Sequence, residues 1–187
     1  MTARTGTVDG VNELQLALAD DAAFEAWYRR KLPRVFGYLL TRCGNDMNLA
    51  EELSQQTFVA AINQRTGFDG RSDVVTWLCG IARHKLADHF RTLEREERRR
   101  MHLEVRQIRV EDDAARGPGL DDRAAIADAL RSLPAAHQAV LAFVVLDGLS
   151  AAEAGRLLGR SASATQSLLH RARQSLRRAY GEELSDD

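Results

Sequence analysis

Between Gly148 and Gly181 the chain marks both ends of one helix and the start of another, and that punctuation leaves few folds open. Ser150 and Glu153 have the spacing of a capping box, in which hydroxyl and carboxylate each satisfy an orphan backbone N–H at a helix start. Gly159 suits the left-handed residue that ends such a helix. Thr165, Leu169, Ala172 and Leu176 then recur three or four apart, which predicts a buried stripe on a second helix. Two short helices joined by a tight glycine turn, the second one basic, form the helix-turn-helix layout. From Ala154 to Gly181 the charged residues are Arg156, Arg160, Arg171, Arg173, Arg177 and Arg178, with no acid among them. One-signed charge on a recognition helix is the footprint of phosphate contact. On these residues alone, a helical hairpin with a solvated arginine face is the alternative.

Elsewhere the period is also helical, and no alternating strand pattern occurs. The expected fold class is all-α: two small helical domains joined by a flexible linker. Residues 1–10 are small and polar and are expected to be disordered. A first domain spans 11–93. Val11 to Ala19 reads as a short helix, after which Asp20 and Asp21 can cap a longer one with apolar positions Phe24, Trp27, Tyr28, Val35, Leu39 and Leu40. Pro33 stands inside that helix and can kink it. Gly44-Asn45-Asp46 breaks the chain; Asn48 and Glu51 then offer a cap, ahead of Leu49, Leu53, Phe58, Val59 and Ile62. The loop Gly67–Ser72 leads to Asp73, the expected N-cap of a long helix whose stripe runs Val74, Trp77, Leu78, Ile81, Leu86, Phe90 and Leu93.

Residues 94–121 read as the linker: dense mixed charge first, then acids beside Gly117-Pro118-Gly119. A second domain covers 122–181, with helices expected over 123–133, 135–146, 150–158 and 161–180, and residues 182–187 form an acidic tail. A hydrophobic fraction of 44% over 187 residues suffices for real cores. The net charge of −1 conceals a segregation of acids into the linker and tail and of basic residues onto helices, and distribution is what matters for nucleic acid. Cys43 and Cys79 lie far apart, which argues for free thiols in a reducing compartment rather than a disulfide or zinc site. With no membrane-length apolar run and no signal-peptide pattern, a cytoplasmic protein without membrane insertion is expected. The five histidines are scattered, and no HExxH, phosphate-cradling glycine loop or nucleophile elbow occurs. No enzyme activity, metal, cofactor or small-molecule substrate is therefore expected.

Together the two halves resemble an extracytoplasmic-function sigma factor of bacterial RNA polymerase, over about residues 11–181. The resemblance rests on Ala50-Glu51-Glu52-Leu53-Ser54-Gln55-Gln56-Thr57-Phe58, on Phe68-Asp69 and on Trp77-Leu78-Cys79-Gly80-Ile81-Ala82-Arg83. In the second half it rests on Leu133-Pro134 with Gln138, on Gly148-Leu149-Ser150 and on the string from Leu169 to Arg173. The first domain looks like sigma region 2 and the second like region 4. By that resemblance Glu51, Glu52, Gln55 and Gln56 face the clamp helices of core RNA polymerase. The loop Asp69, Gly70, Arg71 and the helix positions Arg83, His84, Lys85, Asp88, His89 and Arg91 would bind and help melt the −10 element. There the loop would hold a base flipped from the stack. Trp77 lies on the apolar stripe and is expected to pack rather than stack on bases. Arg160, Ser163, Gln166, Ser167, His170, Arg171 and Arg173 would meet the −35 element. Arg171 or Gln166 would read base edges, while Arg160 and Arg173 would hold phosphates.

The implied partners are core RNA polymerase, promoter DNA and an anti-sigma factor. Gln56 departs from the family's usual glutamate, and Gln166 and Leu168 stand where lysine or arginine are common. Leu168 is expected to extend the core edge. Two other functions are compatible with parts of the chain. One is a helix-turn-helix regulator acting without polymerase, which leaves the first domain unexplained; the other is a sigma-like mimic that sequesters an anti-sigma factor.

Overall fold

The computed structural model describes residues 13–17, 19–104 and 122–183. Among them every regular element is helical: α1 (Asp21–Arg42), α2 (Met47–Asn63), a 3₁₀ turn (Arg65–Gly67), α3 (Val74–Glu104), α4 (Asp122–Ser132), α5 (Ala135–Leu141), α6 (Ala151–Leu158) and α7 (Ala162–Glu183). The expected disordered N-terminus, most of the acidic tail and the linker beyond residue 104 lie outside the described residues. The chain divides into two compact units between Leu86 and Ala87.

In the first unit, Asp20 caps α1 by accepting the Ala23 N–H at 2.8 Å. The helix runs unbroken through Pro33 and buries Trp27, Val35 and Leu39. Trp27 meets Phe58 of α2 edge-on at 5.6 Å between ring centroids, and Tyr28 meets the same ring at 4.6 Å. Two left-handed residues, Gly44 and Asn45, turn the chain into α2. Its N-cap is Asp46, which accepts the Leu49 N–H at 3.0 Å, and not the expected Asn48. A cap has to lie outside the helix with extended backbone, and here the helix has already begun at Met47. Val59, expected in the core, is exposed; Leu53 and Phe58 bury as expected and are joined by Ser54, Thr57 and Ala61, because the covered face of α2 runs through those positions. Ser54 and Thr57 are tolerated there because each hydroxyl donates back to the carbonyl four residues earlier, at 2.7 Å.

Asp73 starts α3 as expected, accepting the Val75 and Thr76 N–H groups at 2.9 and 3.3 Å. The helix does not stop at Leu93. It continues to Glu104, with an Arg98–Glu94 pair at 2.6 Å supporting its exposed side. Residues 94–104, read from their charge as linker, are therefore helical.

The second unit begins within this helix. Phe90 meets Phe143 edge-on at 6.4 Å. Helices α4, α5 and α6 all pack on α7, and α5 passes into a π-turn through Leu146. The Ser150–Glu153 capping box forms: Glu153 N–H donates to the Ser150 hydroxyl at 3.2 Å, and Ser150 N–H donates to the Glu153 carboxylate at 2.9 Å. Gly159 is left-handed, at φ 67°, and ends α6. On α7 the fully buried positions are Thr165, Leu168 and Ala172, while Leu169 and Leu176 are half-buried. Leu168 thus joins the core, and the stripe sits one residue earlier than its first leucine suggested.

Candidate nucleic-acid and polymerase interfaces

Glu51, Glu52, Gln55 and Gln56 share the exposed face of α2. They are spaced one turn apart in two rows, so Gln55 donates to Glu51 at 3.4 Å and Gln56 donates to Glu52 at 3.0 Å. Exposed Val59 extends this face with an apolar side chain three residues beyond Gln56. The apolar spacing of the sequence predicts a buried Val59. Its position four residues after Gln55 was the available signal, since that spacing places it on the polar side of the helix.

Of the residues expected at the −10 element, Asp69, Gly70, Arg71, Arg83, His84 and Lys85 belong to the first unit, and Asp88, His89 and Arg91 to the second. Asp69 turns its loop by accepting the Arg71 N–H at 3.0 Å, and its other oxygen lies 3.6 Å from the Arg71 guanidinium. Phe68, just ahead of the loop, is buried 5.0 Å from the half-buried Trp77 ring. Trp77 therefore packs against an aromatic neighbour, as its place on the stripe implied. Along α3, His84 and Asp88 are exposed, Arg83, Lys85, His89 and Arg91 are half-buried, and Arg91 pairs with Asp88.

Helix α7 carries the expected −35 set. Ser163, Gln166, Ser167, His170, Arg171 and Arg173 are all exposed, whereas Thr165, Leu168 and Ala172 anchor the opposite face. Arg171 Nε reaches the Ser167 carbonyl at 3.5 Å, and Gln174 and His170 meet at 3.1 Å. Gly155 makes the two helices' approach possible: a β-carbon there would lie 2.7 Å from the Arg160 carbonyl oxygen and 2.8 Å from the Thr165 hydroxyl.

Arg160 differs from the rest of the set. Its guanidinium is paired with Glu94 of α3, a residue read from sequence as linker charge. Glu97, one turn further, accepts the Ala135 N–H at the start of α5, at 3.0 and 3.2 Å from its two oxygens. His137, also missed, lies within the fields of Glu97 and Arg171. Burial, reinforced by the Arg171 charge and opposed by Glu97, holds its imidazole below the ordinary 6.5, and Nδ1 is buried without a hydrogen-bond partner. The signal for Glu94 and Glu97 was present, since no glycine or proline occurs between Gly80 and Gly117 to end the helix that carries them.

The two cysteines are free. Burial and the neighbouring Asp46 carboxylate push the Cys43 thiol up to about 12, which keeps it protonated and unreactive. No cluster of metal-ligating residues occurs among the described residues, and no described helix is long and apolar enough to cross a membrane.

Residues 27–96 match the profile of Sigma-70 region 2, and residues 123–176 match that of Sigma-70, region 4. The chain is 34% identical over 169 residues to the ECF RNA polymerase sigma factor SigF of Caulobacter vibrioides, which covers 87% of this chain and 90% of that one. It is 30% identical over 178 residues to the ECF RNA polymerase sigma factor SigC of Mycobacterium tuberculosis, covering 94% of each. Among solved structures, the sigma factor RpoE of Bartonella quintana, crystallised with the anti-sigma factor NepR, shares the fold. The TM-score is 0.50 at 22% identity, over 83% of this chain and 95% of that one.

Proposed function

This chain belongs to the extracytoplasmic-function sigma factors of bacterial RNA polymerase, and on that premise we propose how its surfaces divide the work of promoter-directed initiation. It is a regulatory subunit: it binds core polymerase, directs it to promoters and leaves the chemistry of RNA synthesis to the core. The exposed α2 face of Glu51, Glu52, Gln55, Gln56 and Val59 docks on the clamp helices of the largest polymerase subunit. The loop Asp69–Arg71 and the polar positions of α3 engage the −10 element as it melts. There Arg83, Lys85 and Arg91 neutralise backbone phosphates, while His84, Asp88 and His89 offer hydrogen bonds to base edges. Helix α7 enters the major groove at the −35 element, where Arg171 and Gln166 are long enough for bidentate base contacts and Arg160 and Arg173 hold phosphates. The observation that carries this reading is α7 itself, a helix whose basic and amide side chains all point away from the buried face that fixes it in a helix-turn-helix.

The protein works in the cytoplasm, where polymerase is, and an anti-sigma factor silences it by covering these exposed faces. Purified protein added to core polymerase on fragmented host DNA is expected to give discrete transcript starts sharing a two-part upstream motif. Tight sequence-specific binding by the free protein, with no effect on core polymerase, would identify a one-component regulator instead. Capture of an anti-sigma factor without any promoter-specific transcription would identify a mimic.

A further inference from the structure

Residues 87–104 of α3 lie in the same compact unit as the helix-turn-helix and bring acidic side chains to it. Phe90, Glu94 and Glu97 recur at turn spacing, and each has a distant partner: Phe143, the Arg160 guanidinium and the Ala135 N–H. The Glu94 and Arg160 side chains are 19% and 22% exposed, so this pair is largely withdrawn from solvent. Arg160 immediately follows Gly159, at the turn between the two helices that hold DNA in the reading above. A guanidinium serves carboxylates and phosphates with the same N–H donors, so a donor held by Glu94 is withheld from DNA, and the Glu94 carboxylate beside it repels an approaching phosphate.

We propose that Glu94 is an intramolecular stand-in for a DNA phosphate: it holds Arg160 in the free protein, and promoter DNA must displace it to gain that contact. Glu97 and Phe90 flank the latch and keep the helix segment in place. Opening leaves no stranded charge, because Glu94 keeps its second partner, Arg98, at 2.6 Å, and that arginine is 69% exposed. The latch thus weakens binding of isolated DNA and gives way when polymerase presents the duplex at high local concentration. The proposal rests on the assignment of Arg160 to promoter phosphate.

The test measures binding of the full-length protein to a labelled mixed-sequence duplex across a salt titration. E94Q should bind several-fold more tightly than the wild type, with a salt slope steeper by up to roughly one. E96Q removes the same charge from an exposed position on the same helix and should change nothing. In an R160A background E94Q should bring no gain. E94A repeats the measurement with no carboxamide left to hold the guanidinium, and thermal melts verify that each variant folds. Equal gains for E94Q and E96Q, no gain for E94Q or E94A, or a gain that persists without Arg160 would overturn the latch. If R160A itself leaves duplex binding and promoter-directed transcription unchanged, the phosphate role of Arg160 fails, and the latch fails with it.

Discussion

The hydrogen at the Cα of Gly155 is where the helix-turn-helix is least forgiving. An alanine inside a helix ordinarily gains about 0.5–1 kcal/mol over glycine. Here the added carbon would meet the Arg160 carbonyl and the Thr165 hydroxyl, both closer than 3.0 Å, and the first of these is backbone that cannot rotate away. Overpacking of this kind costs about 1–3 kcal/mol, so the steric term wins and G155A should lower the melting temperature of the second unit. Adding T165A should recover only part of the loss; full recovery would mean that the side chain, not the carbonyl, sets the limit. His137 makes a second prediction. Its folded-state affinity for a proton is below the ordinary value, so as pH falls below 6.5 the unfolded chain takes up the proton first. Stability contributed by the neutral imidazole is complete above that pH and is lost on acidification. Denaturant midpoints at pH 7.5 and pH 5.5 should therefore differ more for the wild type than for H137Q, and equal differences would show that other groups carry the pH dependence.

Helix α2 shows how one element serves a core and a partner with opposite faces. Its buried side is apolar or internally hydrogen-bonded, and its outward Glu51, Glu52, Gln55 and Gln56 pair with one another one turn apart. Replacing Glu52 or Gln55 by arginine should thus leave the melting temperature nearly unchanged, since exposed helix substitutions usually fall within about ±0.5 kcal/mol. The same changes should abolish association with core polymerase, because they place a cation where the proposed interface presents acids and amides. Co-purification of either variant with core at wild-type levels would move the interface to another helix. Sequence made this helix and its polar side legible, yet misplaced its start by two residues and one valine by a face. A cap is decided by which residue leaves helical backbone, and Asp46 and Asn48 are both competent side chains for that role. Helix α3 failed differently: its continuation past Leu93 was hidden by charge density, although charged residues at i, i+4 spacing stabilise helices as well as decorate linkers.

At the scale of the whole molecule, the residues proposed for the −10 element divide between the two compact units, and those proposed for the −35 element lie in the second. The free protein should accordingly bind promoter duplexes more weakly than the ~10⁻⁸ M typical of specific recognition, and gain specificity only when core polymerase fixes both surfaces on one DNA. Gel shifts with and without core check this, and nanomolar specific binding by the free chain would contradict it. What the sequence alone determined is what local chemistry decides: helical period, the caps at Asp20, Asp73 and Ser150, the left-handed Gly159, and the motif order that marks the family. The caps and the left-handed glycine depend on residues within about one turn of each other, so each is written in a short window, and the motif blocks are short runs read in order along the chain. The tertiary structure alone decided that Leu168 rather than Leu169 is fully buried, and that Glu94 and Glu97 find partners in the helix-turn-helix unit. Adjacent helical residues point about 100° apart, so which of two leucines is covered depends on the helices packed alongside. The Glu94–Arg160 pair spans 66 residues, and its formation depends on what packs on α3 beyond Leu93, which no local window contains.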